Sequence, residues 1–223
     1  EITIKKNNYK DKVVFSNGVL ENWTIKFEDL SKDDPDQIIL NDNYNLTGCI
    51  NFYDIKIKNL DISSNMSGCE DAINFVRTSG NVNNLDISNS KSDALDADFS
   101  NLLFKNIEIK NSKNDCLDFS FGEYFISSSF LKQCGDKGVS VGEVSDVTIN
   151  NSIINDTESA VVSKDYSLLK INNSEINRTK ICYQVFNKKR EFAGAFLKAE
   201  KTKCRNFEKL KEVGVSSKII LKP

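Results

Sequence analysis

The sequence predicts an all-β fold, a right-handed parallel β-helix (a solenoid) with about 22 residues in each coil and capped ends. The first observation is that small residues recur at a fixed spacing: Ala72, Ala94, Cys116, Gly138, Ala160, Cys182 and Cys204. A repeat of this length is typical of stacked supersecondary units. The second observation is that most of these small residues precede an apolar, a polar and another apolar residue, as in Leu117, Asp118 and Phe119. Such alternation is typical of a strand with one face inward.

Two further columns support the β-helix over a leucine-rich horseshoe, whose Leu-rich consensus and helical return segment are missing here. A second strand in each coil is indicated by an apolar series: Ile87, Ile109, Leu131 and Ile153. Amide side chains form another series: Asn89, Asn111, Gln133, Asn155 and Asn177. Because stacked amides can hydrogen-bond from coil to coil, the series predicts an asparagine ladder. The crossover rule for parallel strands predicts the right-handed winding.

The whole chain, residues 1–223, is predicted to form a single β-helix domain. Residues 1–57 are expected to be irregular N-terminal coils with an acidic loop at 28–37, and residues 58–204 the regular coils. The string LDIS occurs at 60–63 and again at 85–88, which predicts a small insertion in an early coil. Residues 205–223 are predicted to be a C-terminal cap, with a short helix followed by a strand, because a solenoid end exposes unpaired backbone.

The charge balance excludes one class of partner. The chain has 30 Lys and Arg against 32 Asp and Glu, a formal net charge of −2 and a pI near 5.4. A nucleic-acid-binding protein would show a basic surface signature, so no nucleic acid partner is predicted. No apolar run approaches the roughly 20 residues that span a bilayer, so no transmembrane segment is predicted.

Six cysteines predict disulfides between neighbouring coils. Their spacing favours three pairs: Cys49 with Cys69, Cys116 with Cys134, and Cys182 with Cys204. Residues stacked in one column would have Cα atoms near 5 Å apart, inside the disulfide range of about 4.4–6.8 Å. The alternative is that some of these cysteines are reduced core residues. The disulfides predict a secreted, periplasmic or cell-surface protein, and a zinc site is disfavoured because the chain has no histidine.

Charged residues gather on the outward positions of the repeated strand. We predict catalytic roles for Asp93, Asp115, Asp136 and Lys137, and substrate-binding roles for Asp96, Asp98, Asp118, Glu143 and Lys164. Carboxyl groups stacked one coil apart repel each other, which raises the pKa of at least one and suits it to general acid–base work. Oxygen ligands alone would also suit calcium, the candidate cofactor, although no metal ligand set is assigned.

The acidic residues have an alternative role as turn caps. Asp71, Asp93 and Asp115 precede the small residue in three successive coils, where a carboxylate can accept hydrogen bonds from backbone N–H groups. Turn capping is favoured for Asp71. Chemistry is favoured between Asp93 and Lys137, where charges of both signs converge.

The aromatic residues give little sign of an exposed binding platform. Phe99, Phe119 and Phe121 fall on columns that the alternation predicts to face inward. The predicted outward aromatics are Tyr53, Tyr124, Tyr166 and Phe186.

The strings KSDALDADFS, SKNDCLDFS and CGDKGVSVGE resemble the motifs of polygalacturonase-type glycoside hydrolases, within the pectate-lyase-like superfamily. Over about residues 90–145, Asp93 stands where that family has the last acid of Asn-Thr-Asp, and Asp115 where it has the second acid of Asp-Asp. Lys137 stands in place of the family's histidine in Gly-His-Gly, and Lys164 is the residue nearest to its Arg-x-Lys pair.

The resemblance implies a right-handed parallel β-helix that acts on a polysaccharide as a hydrolase, lyase or epimerase, the last two with calcium on carboxylates and Lys or Arg as base. The chain also resembles β-helix domains of larger bacterial surface proteins, which implies other domains of a parent protein as partners. Three functions therefore stay open: a polysaccharide-processing enzyme, a glycan-binding module, and a structural or adhesive module. Fold alone does not choose among them.

Overall fold

A computed structural model describes residues 1–31 and 46–223. These residues form 20 strands and no helix. In chain order the strands are β1 (Ile2–Lys6), β2 (Val13–Ser16), β3 (Val19–Glu21), β4 (Thr24–Asp29), β5 (Gly48–Tyr53), β6 (Lys56–Asn65), β7 (Asp71–Val76), β8 (Ser79–Ser90), β9 (Asp93–Asp98), β10 (Asn101–Ser112), β11 (Leu117–Ser120), β12 (Glu123–Ile126), β13 (Ser129–Gly142), β14 (Asp146–Asn150), β15 (Ser152–Lys164), β16 (Leu168–Asn172), β17 (Glu175–Phe186), β18 (Phe196–Glu200), β19 (Lys203–Val213) and β20 (Lys218–Lys222).

Successive coils pair in parallel and build three sheets around one core. The first sheet contains β2, β5, β7, β9, β11 and the C-terminal parts of β13, β15, β17 and β19. The second contains β3, β12, β14, β16, β18, β20 and the N-terminal parts of β6, β8 and β10. The third contains β1, β4 and the remaining parts of the long strands. The chain is therefore a parallel β-helix, which confirms the predicted fold class.

The core is a set of apolar columns enclosed by the three sheets. Leu95, Leu117, Val139 and Val161 stack in one register and are fully buried, as the alternation predicts. Burying apolar area stabilises by about 25 cal/mol per Å², so these columns supply the main favourable energy of each coil.

The early coils differ from the prediction in length. Val13 pairs with Ile50, so extra chain is inserted between β4 and β5. Of the acidic loop predicted at 28–37, residues 28 and 29 end β4 instead, and residues 32–37 lie outside the described residues. Ile62 pairs with Leu85, so the two LDIS strings are out of register, and the pairing shifts at Leu60 instead.

A one-residue shift in the middle of the solenoid moves two predicted columns. The pairing of β13 with β15 changes register between Cys134 and Lys137. Before that shift Leu131 pairs with Ile154, so Ile154 takes the inward place that was predicted for Ile153. A single inserted residue reverses inward and outward because side chains alternate with period two.

The same shift interrupts the predicted asparagine ladder, which is not confirmed. The Asn111 amide donates to the Asn89 oxygen at 2.7 Å. Beyond Gln133 the corner positions with positive φ are Asp156 and Arg178, rather than the predicted Asn155 and Asn177. Arg178 forms an ion pair with Asp156 at 2.6 Å, so a salt bridge continues the column.

Three disulfides join neighbouring coils in the predicted pairs: Cys49–Cys69, Cys116–Cys134 and Cys182–Cys204, with Cα separations of 5.4, 5.4 and 6.3 Å. The column predicted for Cys204 is wrong. Cys204 pairs in the sheet with Ile176, because residues 187–195 lengthen that coil.

The C-terminal residues form two more strands, and the short helix predicted after residue 204 is wrong. β19 pairs with β17, and β20 pairs with β18, so a further coil continues the sheets. Its role as a cap stays a prediction.

The neighbours Ile153 and Ile154 test the register with matched chemistry. We predict that Ile154→Ala lowers the free energy of unfolding by about 2–5 kcal/mol, because it opens a cavity in the core. Ile154 is 0 % exposed and Ile153 is 41 % exposed, so Ile153→Ala should change stability by at most about 0.5 kcal/mol. Chemical denaturation of both variants measures this, and an equal loss in the two would contradict the described register.

Candidate functional site

The outward side chains of the first sheet gather carboxyl groups on successive coils. Asp71 pairs in register with Asp93, and Asp96 pairs with Asp118. Neighbouring coils lie about 4.8 Å apart, so the carboxyl groups of one column are close. We call this surface the acidic face and define it by Asp71, Asp93, Asp96, Asp98, Asp115 and Asp118.

The four predicted catalytic residues lie together at the N-terminal ends of the strands. Asp93 Oδ1 accepts from the Asp115 backbone N–H at 2.8 Å and from the Asn114 amide at 2.6 Å. Asp115 Oδ1 accepts from the Lys137 backbone N–H at 2.9 Å, and the Lys137 ammonium lies 3.4 Å from the same oxygen. Asp136 forms an ion pair with Lys137. These contacts hold one coil to the next, so Asp93 and Asp115 act as turn caps.

A second group of carboxyls lies further along the strands. Asp96 Oδ2 accepts from the Asn74 amide at 2.8 Å, and Asp96 shares a hydrogen bond with Asp98. Two carboxyl groups can share a hydrogen bond only when one of them is protonated. Asp118 stacks on Asp96 and keeps one buried oxygen without a partner among the described residues. We call Asp96, Asp98 and Asp118 the strand group.

Burial raises the pKa of both turn-capping carboxyls. The pKa of Asp93 rises to about 6, although the hydrogen bond from the Asp115 N–H opposes the rise. The pKa of Asp115 rises to about 7, although the positive charge of Lys137 opposes it. Both carboxyl groups therefore titrate close to neutral pH.

The strand group also has raised pKa values. Burial raises the pKa of Asp96 well above its ordinary range, and the charge of Asp71 and other nearby carboxylates raises it further. Burial raises the pKa of Asp98 to about 6, and the hydrogen bond from Asp96 opposes that rise. The two shifts therefore favour the proton on Asp96 over Asp98.

Lys164 brings a buried positive charge to this end of the face. Its side chain is 6 % exposed and crosses Gly142, where an added Cβ would lie 3.5 Å from the lysine Cε. Burial raises the pKa of Asp118, and the charge of Lys164 opposes the rise. In the described part of the chain the Lys164 backbone N–H donates to Ser167, while its ammonium group forms no ion pair. The positive charge of Lys164 also favours the ionised form of Glu143, so it acts on two carboxyls of the face.

A loop closes the C-terminal end of the face. Ser120 donates to the Glu143 carboxylate, and Lys189 forms an ion pair with the same group. Burial raises the pKa of Glu143, but the hydrogen bonds from Lys189 and Ser120 outweigh burial and leave it below its ordinary value. Lys189 belongs to the loop 187–195, whose backbone N–H groups donate to Asp165 at 2.6 and 2.8 Å.

Two phenylalanines predicted to face inward face solvent instead. Phe99 and Phe121 have φ values of 52° and 49°. The alternation of inward and outward side chains requires extended backbone and fails at such a corner. Their rings stack with centroids 4.6 Å apart and planes within 3°, and Phe192 from the loop lies 6.1 Å from Phe121.

The predictions for the other aromatic residues have mixed outcomes. Phe119 is buried as predicted, and Tyr166 is exposed as predicted. Tyr124 was predicted outward but is buried, with its hydroxyl donating to the Ala97 carbonyl at 2.8 Å. Tyr53 and Phe186 are partly exposed.

Calcium finds no ready site in the part of the chain that is described. Within residues 1–31 and 46–223, no group of three or more His, Cys, Asp or Glu is arranged to hold a metal ion. One carboxylate oxygen of Asp93 and one of Asp115, Oδ1 in each, accept from N–H donors. We derive no step through a metal.

The structure therefore splits the predicted site residues into two groups on one face. Asp93, Asp115, Asp136 and Lys137 join at the turns, whereas Asp96, Asp98, Asp118, Glu143 and Lys164 lie along the strands and at their C-terminal ends. Four further residues of this face were not predicted from the sequence: Asn74, Ser120, Lys189 and Phe192. The basic run at 188–190 was a visible signal for Lys189, but its contact with Glu143 depends on how the loop folds.

No protein-family model matches this sequence, and no curated protein matches it. Among solved structures, the catalytic domain of a GH87 alpha-1,3-glucanase in complex with nigerose matches with a TM-score of 0.39 and 9 % identity, covering 96 % of this chain and 58 % of that chain. A variant of that catalytic domain, also with nigerose, matches with a TM-score of 0.37 and 8 % identity, covering 98 % of this chain and 62 % of that chain. The chain thus spans about three fifths of each solved domain.

The described residues contain no helix with the length and hydrophobicity needed to span a bilayer.

We predict that stability falls as pH rises from about 5 to about 7.5. Asp93, Asp98 and Asp115 have folded-state pKa values of about 6, 6 and 7, whereas the unfolded value is about 3.9. Between those values the folded state binds more protons than the unfolded state, so the free energy of unfolding decreases with pH. No imidazole titrates in this interval because the chain has no histidine.

Melting temperature measured across this pH range checks the prediction. Asp98→Asn removes one proton-binding group and should flatten the slope. Asp156→Asn is the control, because the hydrogen bond from Arg178 holds the Asp156 pKa below its ordinary value. Stability that rose between pH 5 and 7.5 would contradict the prediction.

Proposed function

We propose that this protein is a secreted or cell-surface β-helix that binds a polysaccharide along the acidic face and hydrolyses it there. The observation that carries the proposal is the strand group, in which Asp96 and Asp98 lie on one face of β9, Asp118 stacks on Asp96 one coil away, and burial raises the pKa of all three carboxyls. Glycoside hydrolysis needs one carboxyl group that donates a proton and a second that stays ionised. Three disulfides are typical of an oxidising compartment, which supports secretion.

In the proposed reaction Asp98 gives its proton to the glycosidic oxygen as the bond to the anomeric carbon breaks. Its pKa of about 6 suits an acid that works in weakly acidic solution. The hydrogen bond from Asp96 stabilises the Asp98 carboxylate that remains. Asp118 accepts a proton from the water that adds to the anomeric carbon; burial raises its pKa, which suits a base, and the charge of Lys164 opposes the rise.

The spacing of these groups favours inversion of the anomeric centre. Asp98 and Asp118 differ by two residues along the strand and by one coil. A rise of about 3.3 Å per residue and a coil spacing of about 4.8 Å place their Cα atoms about 8 Å apart, and side chains that project in parallel keep about that spacing. That separation lies within the roughly 6.5–9.5 Å of inverting enzymes, which leaves room for the water.

Asp93, Asp115, Asp136 and Lys137 stay candidates for catalysis on the resemblance to polygalacturonase-type hydrolases. Their contacts favour a positioning role, because protonating Asp115 would weaken its ion pair with Lys137. The lyase and epimerase alternatives of the pectate-lyase-like superfamily would use Lys137 as the base.

A structural or adhesive module is the second candidate function. It is favoured by the turn caps, since Asp93 and Asp115 are explained by coil-to-coil hydrogen bonds without any ligand. Such a module would bind a partner or act as a spacer without converting a substrate.

We predict that the protein releases reducing ends from a polysaccharide, and that Asp98→Asn and Asp118→Asn each lower the rate by about 10²–10⁴-fold, the usual contribution of a general acid or base. Reducing-sugar release over a polysaccharide panel measures the rate, and NMR of the first product gives the anomer.

Asp146→Asn is the matched control, because Asp146 lies on the second sheet, where it pairs with Lys170 at 3.3 Å. It should keep the parent rate. If Asp98→Asn and Asp118→Asn both release reducing sugar at the parent rate, the catalytic residues lie elsewhere. A folded protein that cleaves no polysaccharide would leave the non-catalytic module as the function.

A further inference from the structure

We infer that the exposed face of Phe99 is a sugar-stacking subsite and that the glycan is neutral or carries amino groups, rather than being a polyuronate. This inference rests on the proposed function in one respect, because the subsite adjoins the strand group. It specifies the class of sugar.

The phenylalanine stack has one closed end and one open end. Phe121 has Phe99 stacked on one side and the edge of Phe192 on the other. Phe99 has Phe121 on one side only and is 54 % exposed. A large exposed aromatic side chain on a soluble surface is a candidate contact site, because its apolar area remains in water.

The polar surroundings of Phe99 fit the hydroxyl groups of a sugar ring. Asp98 precedes Phe99 and carries its carboxyl group on the outward side of the strand end. Arg77 lies one coil before Phe99 in the same corner column, where its backbone N–H donates to the carbonyl of Asp98. One of its guanidinium nitrogens donates to the Tyr53 hydroxyl at 3.1 Å, which leaves other guanidinium N–H groups as donors. A pyranose could place its C–H face on Phe99 and direct hydroxyls to Asp98 and Arg77. A flat apolar surface beside hydrogen-bonding groups at its edge is the chemistry that recognises a carbohydrate ring.

Charge decides which carbohydrates fit. Asp96, Asp98 and Asp118 lie next to the stack, and Lys189 on the same edge is already paired with Glu143. At pH 7, above the pKa of about 6 of Asp98, a uronate carboxylate placed here would meet the charge of the Asp98 carboxylate, whereas a neutral or amino sugar would not. The resemblance to polygalacturonases would suggest a polyuronate, and the Asp98 carboxylate beside Phe99 is the charge that opposes one.

The open end of the phenylalanine stack also indicates in which direction a bound glycan would extend. The loop 187–195 covers the stack on the C-terminal side through Phe192. A glycan seated on Phe99 would therefore extend from the strand group towards the earlier coils.

Binding measurements test the subsite separately from turnover. Hexasaccharides of glucose (α- and β-linked), of glucosamine and of galacturonate are the probes, titrated calorimetrically at pH 5 and pH 7 into the intact protein. Asp118→Asn is used where the parent protein cleaves the probe. We expect a glucose or glucosamine hexasaccharide to bind more tightly than the galacturonate one. Phe99→Ala should weaken that binding about tenfold, which is about 1.4 kcal/mol.

Phe125→Ala is the matched control, because Phe125 is 40 % exposed but lies in β12 on the second sheet. It should bind as the parent does. Phe99→Leu keeps an apolar side chain without a ring and should weaken binding nearly as much as Phe99→Ala. Melting curves confirm that each variant is folded.

The outcomes separate this inference from the proposed function. Ring-dependent binding of a neutral or amino hexasaccharide without cleavage supports the subsite and rejects hydrolysis. Tightest binding of galacturonate, unchanged binding by folded Phe99 variants, or no binding of any probe would overturn the inference even if the protein cleaves a polymer. Analytical sedimentation tests one further outcome. A dimer that dissociates in the Phe99→Ala variant would show that the phenylalanine stack is a contact between two copies of the chain. That result would also overturn the inference of a sugar subsite.

Discussion

The hydrogen bonds between successive coils determine everything else in this molecule, because they fix each side chain at one place in a column. Once Asp96 pairs with Asp118, their carboxyl groups must be near neighbours. The stacking that buries Leu95 on Leu117 is therefore the stacking that brings like charges together on the opposite side of the same strands. The stability of the core and the repulsion between carboxylates on the acidic face therefore both arise from the same coil-to-coil pairing.

Simple magnitudes explain why the acidic face holds protons. Two carboxylates about 5 Å apart repel by about 3 kcal/mol at an effective dielectric constant of 20. Protonating one ordinary carboxyl costs about 1.4 kcal/mol for each pH unit above its pKa, so near pH 5 protonation costs less than repulsion. Burial also favours the protonated form, which is why Asp96 donates a hydrogen bond to Asp98. Hydrogen bonds from Lys189 and Ser120 leave the pKa of Glu143 below its ordinary value, whereas the charge of Lys137 only opposes the rise of the Asp115 pKa to about 7.

The sequence was sufficient for the columns that keep one period and extended backbone, and for little beyond them. The inward run from Leu95 to Val161 and the three disulfide pairs follow from spacing. Ile153 was misplaced because a one-residue irregularity does not change the composition of the repeat. Phe99 was misplaced because the alternation of side chains ends where φ becomes positive. The contact between Lys189 and Glu143 depends on the path of a loop across coils, which no local pattern encodes.

The two ends of the first-sheet strands have different physical roles. At the N-terminal ends, carboxylates accept backbone N–H groups of the next coil, and a proton placed there would compete with bonds that hold the register. Further along, Asp96 and Asp98 bond to each other, and Asp96 meets the preceding coil through the Asn74 side chain rather than through a backbone N–H, so moving a proton between Asp96 and Asp98 leaves the backbone ladder unchanged. Acid catalysis requires a group that can lose and regain a proton while its neighbours stay in place. The strand group meets that requirement, and it lies beside the one end of the phenylalanine stack that remains open.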